Sequence, residues 1–226
     1  MPLPLSVIIP ALDEEARIPA AIASAFAAGA AEVIVCDGGS SDATAEVAAR
    51  SGARVVAADP PRSVQMNRGA EAARFENLIF LHADTTLPLG AGRAACDALA
   101  SGTIFGGFRV RFAEASLRLR IAAAMINLRT FFTRCPWGDQ ASFIRRDAFF
   151  EAGAFLPIPL MEDYELAIRM KRRGRTRVVR PHVTTSGRRF LERGVVATAL
   201  LNWRIVFAYR RGADVRELAA LYRRRS

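Results

Sequence analysis

Residues 32–44 read EVIVCDGGSSDAT, which is a short apolar run, an aspartate at its end, and then a stretch of glycines and serines. The β-branched run predicts a strand, Gly38 and Gly39 predict a turn, and the alanine-rich residues from Asp42 to Arg50 predict a helix. Because the strand is apolar throughout instead of alternating, both of its faces should be covered. That is the arrangement of a parallel sheet between two layers of helices.

This order of strand, polar turn and helix recurs through the first hundred residues. The other predicted strands are Ser6–Ile9, Arg54–Ala57 and Leu78–His82. The other predicted helices are Glu14–Ala28, Ser63–Arg74 and Gly90–Ala100. Repeated units of this kind predict an α/β fold with a Rossmann-like open sheet, in which ligands sit beyond the carboxyl ends of the strands.

The pattern changes after residue 101. Gly106–Phe112 alternates between apolar and polar residues, as in a strand with one exposed face. The elements predicted after it are helix Glu114–Phe132, strand Ala141–Arg145, helix Glu162–Arg173, strand Arg177–Arg180 and one or two helices within Leu191–Arg225. We predict a single domain over residues 1–226 with a mixed sheet, helices on both faces and a basic helical C-terminal part. Its parts are residues 1–100, 101–190 and 191–226.

The net charge of +10 divides unevenly along the 226 residues. Residues 1–100 contain 7 arginines and 12 acidic residues, a net of −5, whereas residues 101–226 contain 25 basic and 10 acidic residues, a net of +15. A basic half can meet an anionic acceptor or a diphosphate, lie on a membrane, or bind nucleic acid. Arginines among Leu, Ile and Phe at helical spacing favour a membrane surface or a partner helix, so we expect no nucleic-acid partner.

Cysteines and apolar runs indicate the compartment. Cys36, Cys96 and Cys135 form no CxxC pair and have no His at metal spacing, which favours reduced thiols in a cytosolic protein. Leu5–Leu12 is too short for a signal-peptide core, and Val195–Tyr209 falls short of the ~20 residues that a spanning helix needs. We expect a cytoplasmic protein with at most peripheral contact at the inner membrane face.

Acidic residues follow the predicted strands at the ligand edge of the sheet. Asp37 follows the second strand and Asp84 follows the fourth, whereas Asp13 and Asp42 are also explained as helix caps. The first strand is followed by neither GxGxxG nor a P-loop, which argues against a dinucleotide oxidoreductase and a P-loop nucleotidase. A diphosphate bound at this edge would need a metal ion or arginines to neutralise it.

Five blocks come in the order and approximate spacing of family-2 glycosyltransferases with the GT-A fold, which the chain resembles. They are SVIIPALDEE (6–15), VIVCDGGSSDAT (33–44), NRG (67–69), FLHADT (80–85) and MEDYEL (161–166). A second set of motifs in the chain resembles those of a small bacterial subgroup associated with arsenosugar biosynthesis. It comprises QMNRGA (65–70), HADT (82–85), WGDQ (137–140), MED (161–163) and TSGRRF (185–190).

The resemblance implies transfer of a sugar from a UDP- or GDP-sugar to a hydroxyl acceptor, with inversion at the anomeric carbon. The implied nucleotide-sugar contacts come from Pro10, Leu12, Glu14, Asp37, Asn67, Asp84 and Arg189. The implied ligands of a divalent cation, Mn²⁺ or Mg²⁺, are Asp84 and His82. The implied general base is Asp163. The implied acceptor contacts come from Trp137, Asp139 and Glu162.

The sequence departs from the family pattern at three positions. His82 stands in place of the first aspartate of D-x-D, Gly38 in place of the second acid after strand two, and Met66 where many relatives have arginine. Glu162 and Asp163 are also explained as the start of a helix. Since a helix N-terminus favours negative charge, we expect Asp163 to stay ionised.

Several other residues have two interpretations. Trp137 can be a buried anchor as well as a sugar platform. Arg62 and the pair Arg188 and Arg189 can bind diphosphate or remain solvated. His182 is expected to be structural.

Two other functions fit the same sequence. One is a synthase that glycosylates a polyprenyl phosphate at a membrane surface, which binding to vesicles would distinguish. The other is a non-catalytic basic binding module that keeps the fold, which the absence of nucleotide binding would distinguish.

Overall fold

The computed structural model describes residues 1–224. Its strands are β1 (Leu3–Ala11), β2 (Ala30–Asp37), β3 (Arg54–Ala57), β4 (Asn77–Phe80), β5 (Thr85–Thr86), β6 (Phe105–Phe112), β7 (Phe143–Arg145) and β8 (Thr176–Thr185). Its first helices are α1 (Ile18–Ala27), α2 (Thr44–Arg50), α3 (Arg62–Ala72), α4 (Ala91–Ala100) and α5 (Leu117–Thr133). The later ones are α6 (Arg146–Glu151), α7 (Glu162–Arg173), α8 (Arg188–Arg193), α9 (Val195–Arg210) and α10 (Val215–Arg224). A short 3-10 helix, Gly138–Gln140, precedes β7.

These strands form one mixed sheet that takes strands from both halves of the chain. Their order is β3-β2-β1-β4-β7-β6-β8-β5. β1 is parallel to β2 and β4, and β2 is parallel to β3, whereas β7 runs antiparallel to both β4 and β6. The predicted α/β fold with a mixed sheet is confirmed.

The central strand β1 buries both of its faces. Val7 and Ile9 pack in one apolar core with Ile22 of α1, and Ile8 packs in a second core with Met66 of α3. Side chains alternate between the faces of a strand, so an unbroken apolar run supplies both cores. This explains why β1, β2 and β4 are largely apolar, whereas β3, at the edge of the sheet, is only partly buried.

The segment after β1 differs from its predicted form. β1 continues through Pro10 to Ala11, and α1 begins at Ile18 instead of Glu14. The backbone N–H of Glu14 donates to Oγ1 of Thr44 (2.7 Å), so the segment is bonded across to the start of α2. It therefore forms a loop at the end of the sheet and not the first turn of a helix.

The second half differs more from the prediction. β8 spans Thr176–Thr185 where only Arg177–Arg180 was predicted, because it pairs in parallel with β6 along most of its length. Helix α6 was not predicted, α8 begins three residues before the predicted start at Leu191, and the two-residue β5 of the first half was not predicted either. Each is very short, so it carries no periodic signal of its own.

The C-terminal helices pack on each other away from the two main cores. Leu201 and Ile205 of α9 and Leu218 of α10 form a separate small cluster. Within residues 1–224, no helix has the length and apolarity required to cross a bilayer.

Candidate functional site

Four segments meet beyond the carboxyl end of β4. The chain leaves β4 into His82 and Asp84. Because β7 is antiparallel to β4, the 3-10 helix that precedes β7 lies at the same edge of the sheet. The first residues of α3 and α7 complete the group. The fold thus brings together residues that are about 80 to 100 positions apart in the chain.

Arg62, Glu162 and Asp163 form a charged cluster. Nε and Nη2 of Arg62 donate to Oε1 of Glu162 at 2.8 and 2.5 Å, and Nη2 also donates to Oδ2 of Asp163 at 3.1 Å. The Glu162 side chain is only 3% exposed, whereas the Arg62 side chain is 40% exposed. Glu162 therefore holds the guanidinium, and through it Asp163. The acceptor contact predicted for Glu162 stays a prediction beside this internal ion pair.

The Asp163 carboxyl group is set apart by its pKa. Burial raises its pKa most and the neighbouring Glu162 charge raises it as well; with Arg62 opposing both effects, the pKa is raised to about 7. The expectation that a helix N-terminus keeps Asp163 fully ionised is wrong because it left out burial and the adjacent carboxylate. A carboxylate with a pKa near neutrality is suited to accept a proton.

Gly138 lets the 3-10 helix approach Asp163 and His82 closely. A Cβ atom at Gly138 would lie 2.2 Å from Oδ2 of Asp163 and 2.6 Å from Nε2 of His82. Oδ2 of Asp163 and Nε2 of His82 are therefore no farther apart than the sum of these two distances. Glycine is required here because no side chain fits between the backbone and the two functional groups.

Two polar atoms of this site have no hydrogen-bond partner among residues 1–224. They are Nε2 of His82 and Oδ1 of Asp139, and both atoms are buried. Burial and then the charges of Arg62 and Arg189 hold the pKa of His82 well below its usual value, so its imidazole is neutral. Burial raises the pKa of Asp139, and Arg129 opposes that rise. Buried polar atoms left in this state are typical of groups that a ligand satisfies.

Asp84 is the exposed carboxylate of the site. Oγ1 of Thr85 donates to it at 3.2 Å, and its charge contributes to the raised pKa of Asp139. In the described part of the chain, no three His, Cys, Asp or Glu side chains converge to hold a metal ion unaided. A cation bound at Asp84 and His82 would take its remaining ligands from phosphate oxygens, which is usual for Mg²⁺.

The loops after β1 and β2 are bonded to each other. Oδ1 of Asp13 accepts from the backbone N–H of Ser41 (2.8 Å), and Oε2 of Glu15 accepts from that of Ala43 (3.0 Å). The helix-cap role considered for Asp13 is thus replaced by a cross-link between loops, and Glu15 makes a second cross-link. The two loops form one rigid wall at the end of the sheet.

The predicted nucleoside contacts lie in or beside this wall. Pro10 is buried and Leu12 is exposed. Glu14 pairs with Arg17 at 2.9 Å. Asp37 uses both carboxylate oxygens to bind the turn that follows, since Oδ1 accepts from Oγ of Ser40 (2.5 Å) and Oδ2 from its backbone N–H (3.1 Å). A nucleoside contact by these residues stays a prediction.

Asn67 has a clear structural role. Its Nδ2 donates to the carbonyl of Phe155 (2.8 Å), and its Oδ1 accepts from the N–H of the same residue (3.0 Å). The amide therefore holds the loop that leads to α7. The donor contact predicted for Asn67 stays a prediction, and it would have to use the second N–H of Nδ2 or the second lone pair of Oδ1.

Trp137 packs against protein groups on its ring. The Arg129 guanidinium lies 3.5 Å from the ring centroid, and the Tyr164 ring meets it edge-on. Gln140 fixes the same loop, since its Nε2 donates to the carbonyl of Phe108 (3.0 Å) and its Oε1 accepts from Thr130 (2.9 Å). The half-buried Trp137 agrees with the buried-anchor interpretation.

Arg189 reaches the site from α8. Its charge acts on His82, and its Nη1 donates to the hydroxyl of Tyr222 in α10 at 2.9 Å. Its guanidinium is exposed, so it remains accessible to an anionic group.

Sequence reasoning left Arg62, Arg129 and Gln140 out of the site. Arg62 was considered for diphosphate binding or solvation, and neither interpretation included an ion pair with residues 100 positions away. Its position after β3, at the ligand edge, was the only signal available. The positions of Arg129 and Gln140 in the sequence carry no signal that they belong to the site.

Solved structures of other proteins share this fold. S. aureus TarS matches with a TM-score of 0.64 and 15% identity, over 82% of this chain and 37% of TarS, so the chain spans little more than a third of that protein. Glucosyl-3-phosphoglycerate synthase from Mycobacterium tuberculosis, in complex with Mn²⁺, UDP-glucose and phosphoglyceric acid, matches with a TM-score of 0.60 and 22% identity, over 80% of this chain and 70% of that one. At these identities the likeness shows the GT-A fold.

Sequence comparison gives the family. No curated protein gave a significant match. The model of "Glycosyl transferase family 2" matches residues 6–153, which is well over half of the chain and includes β1 to β7 and the residues at the carboxyl end of β4. The chain belongs to glycosyl transferase family 2.

Proposed function

We propose that this protein is an inverting glycosyltransferase that moves a sugar from a nucleotide diphosphate to a hydroxyl acceptor, with Asp163 as general base. One observation carries the proposal. The largely enclosed carboxyl group of Asp163, which is 12% exposed and has its pKa raised to about 7, lies beside two buried polar atoms that have no partner in residues 1–224, at the ligand edge of the sheet. That arrangement supports proton transfer from a substrate hydroxyl.

In this mechanism the acceptor oxygen attacks the anomeric carbon while the bond from that carbon to the diphosphate breaks. The hydroxyl proton passes to the carboxylate of Asp163. A single displacement inverts the configuration at the anomeric carbon. Arg62 keeps the carboxylate in place, and Glu162 keeps Arg62 in place, so these two are positioning residues.

The charged and polar side chains at the donor end of the site support binding of a nucleotide sugar. A divalent cation, when bound, neutralises the diphosphate as it leaves. Asp84 and His82 fit such an ion, since one offers an exposed carboxylate and the other a neutral imidazole nitrogen without a partner in the described residues. Arg189, which is exposed, would bind a diphosphate oxygen. UDP is favoured as the nucleotide because glucosyl-3-phosphoglycerate synthase is described in complex with it.

The acceptor end is proposed at the 3-10 helix. Asp139 has a buried oxygen without a partner in residues 1–224, which an acceptor hydroxyl would satisfy. Trp137 would form the wall of that pocket, held by Arg129. The residues of the motifs support membership of the arsenosugar subgroup as part of this proposal. The free cysteines support a cytoplasmic location.

Calorimetry with UDP, GDP and their sugars, with and without Mn²⁺, tests donor binding. We expect metal-dependent binding that Asp84→Ala abolishes.

Asp163→Asn should bind donor with unchanged affinity and transfer no sugar, because only the base is removed. Product NMR should show inverted anomeric configuration. Retained turnover in Asp163→Asn would exclude this residue as the base, and retained configuration would exclude the single displacement.

The same experiment separates the rival functions. A protein that binds no nucleotide under any of these conditions is a basic binding module with a GT-A fold. A synthase acting on a lipid phosphate is the second candidate enzyme. It is favoured by the exposed apolar side chains of α5 and α9, and it would transfer sugar only to an acceptor presented in a vesicle.

A further inference from the structure

Helices α5 and α9 each expose a row of large apolar side chains. In each row the residues recur every three or four positions, which is one face of a helix, and each is more than half exposed. The α5 row is Leu117, Ile121, Met125, Leu128 and Phe132. The α9 row is Val196, Leu200, Trp203 and Phe207. The two helices contact each other, so we call these nine residues the α5–α9 face.

Both helices bury their opposite sides in the protein. Leu119 and Ala122 of α5 are buried, as are Leu201 and Ile205 of α9. The buried sides of α5 and α9 are enough to explain why these helices fold, so the α5–α9 face is not needed for folding. Soluble proteins rarely leave two adjacent apolar rows uncovered, and such a surface marks an interaction site.

Arginines border each row on both sides. At 100° per residue, Arg118 and Arg120 lie on opposite flanks of the α5 row, and Arg204 and Arg210 on opposite flanks of the α9 row. These four side chains are exposed, and none has a carboxylate within ion-pair distance in the part of the chain described. Neither helix contains a single acidic residue.

A basic groove continues the α5–α9 face at the end of α5. It has a volume of about 360 Å³ and is lined by Phe131 and Phe132 together with Arg134, Arg175 and Arg177. Aromatic rings thus lie next to guanidinium groups that form no ion pair within the described residues 1–224. This is the chemistry that receives an anionic headgroup and the first carbons of its chains.

We propose that the α5–α9 face binds the surface of an anionic lipid bilayer. The apolar rows would enter the headgroup boundary, with Trp203 at the interface, while the flanking arginines contact lipid phosphates. A second copy of this chain fits the face poorly, because two surfaces without acidic residues would bring like charges together. The positive charges of the α5–α9 face are complementary to an anionic surface and not to a second copy of the same face.

The face is joined to the candidate site by packing. Arg129, on the buried side of α5, stacks on Trp137 at 3.5 Å. Tyr209 of α9 meets Tyr164, the residue after Asp163, edge-on at 6.0 Å. A bilayer bound by these helices would therefore hold the site at a defined distance from the membrane. Binding itself does not depend on the transfer reaction.

Vesicle flotation tests the proposal on the full chain. We expect the protein to float with vesicles of phosphatidylcholine and phosphatidylglycerol, and much less with phosphatidylcholine alone. Changing Arg118, Arg120, Arg204 and Arg210 to Gln should reduce partitioning about fivefold for each charge removed. Leu200→Ser/Trp203→Ser/Phe207→Ser should reduce it by about tenfold or more, since these exposed side chains supply apolar burial only in the lipid.

The control variant is Leu89→Ser/Arg50→Gln, which removes an exposed leucine and an exposed arginine outside this face. It should float like the unchanged protein. Circular dichroism verifies that every variant is folded. Failure to float with anionic vesicles overturns the proposal, as does equal flotation with neutral ones. Sedimentation showing a dimer that the triple Ser variant dissociates would assign the face to a second copy instead.

Discussion

At the scale of single residues, the chemistry of this protein depends on how three charges share a buried space. Glu162 is almost fully enclosed, so it needs Arg62 as a partner. Asp163 receives only one longer bond from the same guanidinium, at 3.1 Å. The carboxylate next to it and its own burial therefore prevail, and its pKa is raised. Two adjacent carboxyl groups acquire different roles from the way they share one arginine.

The first prediction concerns the pH dependence of turnover. Asp163 is a base only when ionised, and its pKa of about 7 means that the ionised fraction rises as pH increases through neutrality. We expect kcat to fall about tenfold per pH unit below pH 7 and to level off above it. A rate that is independent of pH between 5 and 8 would contradict this assignment.

The second prediction concerns Arg62. Arg62→Ala should raise the pKa of Asp163 further, because the arginine is the charge that lowers it, so the acid limb of the pH profile moves to higher pH. The loss should also cost about 1–3 kcal/mol of stability, since it leaves Glu162 buried without its partner while water can reach part of the vacated space. Arg62→Lys should restore part of both effects.

Denaturant unfolding and the pH profile measure these two changes separately. The matched control is Arg68→Ala, which removes an exposed arginine from the same helix. A variant of Arg62 that loses stability but keeps the original pH profile would make this residue purely structural.

At the scale of elements, the 3-10 helix before β7 decides how tightly the site closes. Gln140 is fully buried and ties this turn to β6 and α5. The turn is thus held by protein contacts before any substrate arrives. Preorganisation of this kind keeps a base within reach of its proton.

The third prediction tests that closeness. Gly138→Ala would place a methyl group 2.2 Å from Oδ2 of Asp163, so the turn or the carboxylate must move. We expect kcat to fall by about two orders of magnitude, since a displacement of about 1 Å has that effect. Steady-state kinetics measure the loss.

Gly102→Ala is the comparison variant. Its methyl group would meet nothing within 4 Å, but it sits at a φ of +82°. It should lose stability with unchanged kcat, because only backbone strain is added. Full activity of Gly138→Ala would show that the close approach does not matter for turnover.

At the scale of the whole molecule, the uneven charge follows the architecture. The acidic first half supplies β1 to β4 and the loops at their carboxyl ends, whereas the basic second half supplies α5, α7, α8 and α9. The two halves share one sheet and one site. The net charge of +10 therefore describes neither surface, and an experiment that varies salt should be interpreted for each half separately.

The fourth prediction uses the three cysteines to report on the folded state. All three are free; burial raises the pKa of Cys36 to about 12 and that of Cys135 to about 11, and it also raises the pKa of Cys96, whose side chain is partly exposed. In the native protein at pH 8 we expect Cys96 to react with a thiol reagent more slowly than a fully exposed thiol but much faster than the other two, and we expect all three to react readily after unfolding. Cys96→Ser is the control that should abolish the native reaction. Rapid reaction of Cys36 or Cys135 would contradict the burial seen here.

Much of the fold follows from local patterns. Strands β1 to β4 were predicted within a few residues, since their apolar runs and the polar turns after them are properties of adjacent residues. Helix α6, the first residues of α8 and the full length of β8 were missed because short elements and strand pairing depend on distant partners. The same limit applies to Asn67, whose amide binds Phe155, 88 positions away.

The sequence by itself determined the α/β class, the strand ends where ligands sit, and the motifs that point to glycosyl transfer. Each of these depends on neighbours in the chain or on a resemblance to a family. Tertiary structure alone decided that Arg62 joins Glu162 to Asp163, that Gly138 brings His82 close, and that the pKa of Asp163 rises. Those outcomes depend on burial and on distances between remote segments, because only folding removes water from charges and brings them within a few ångströms of each other.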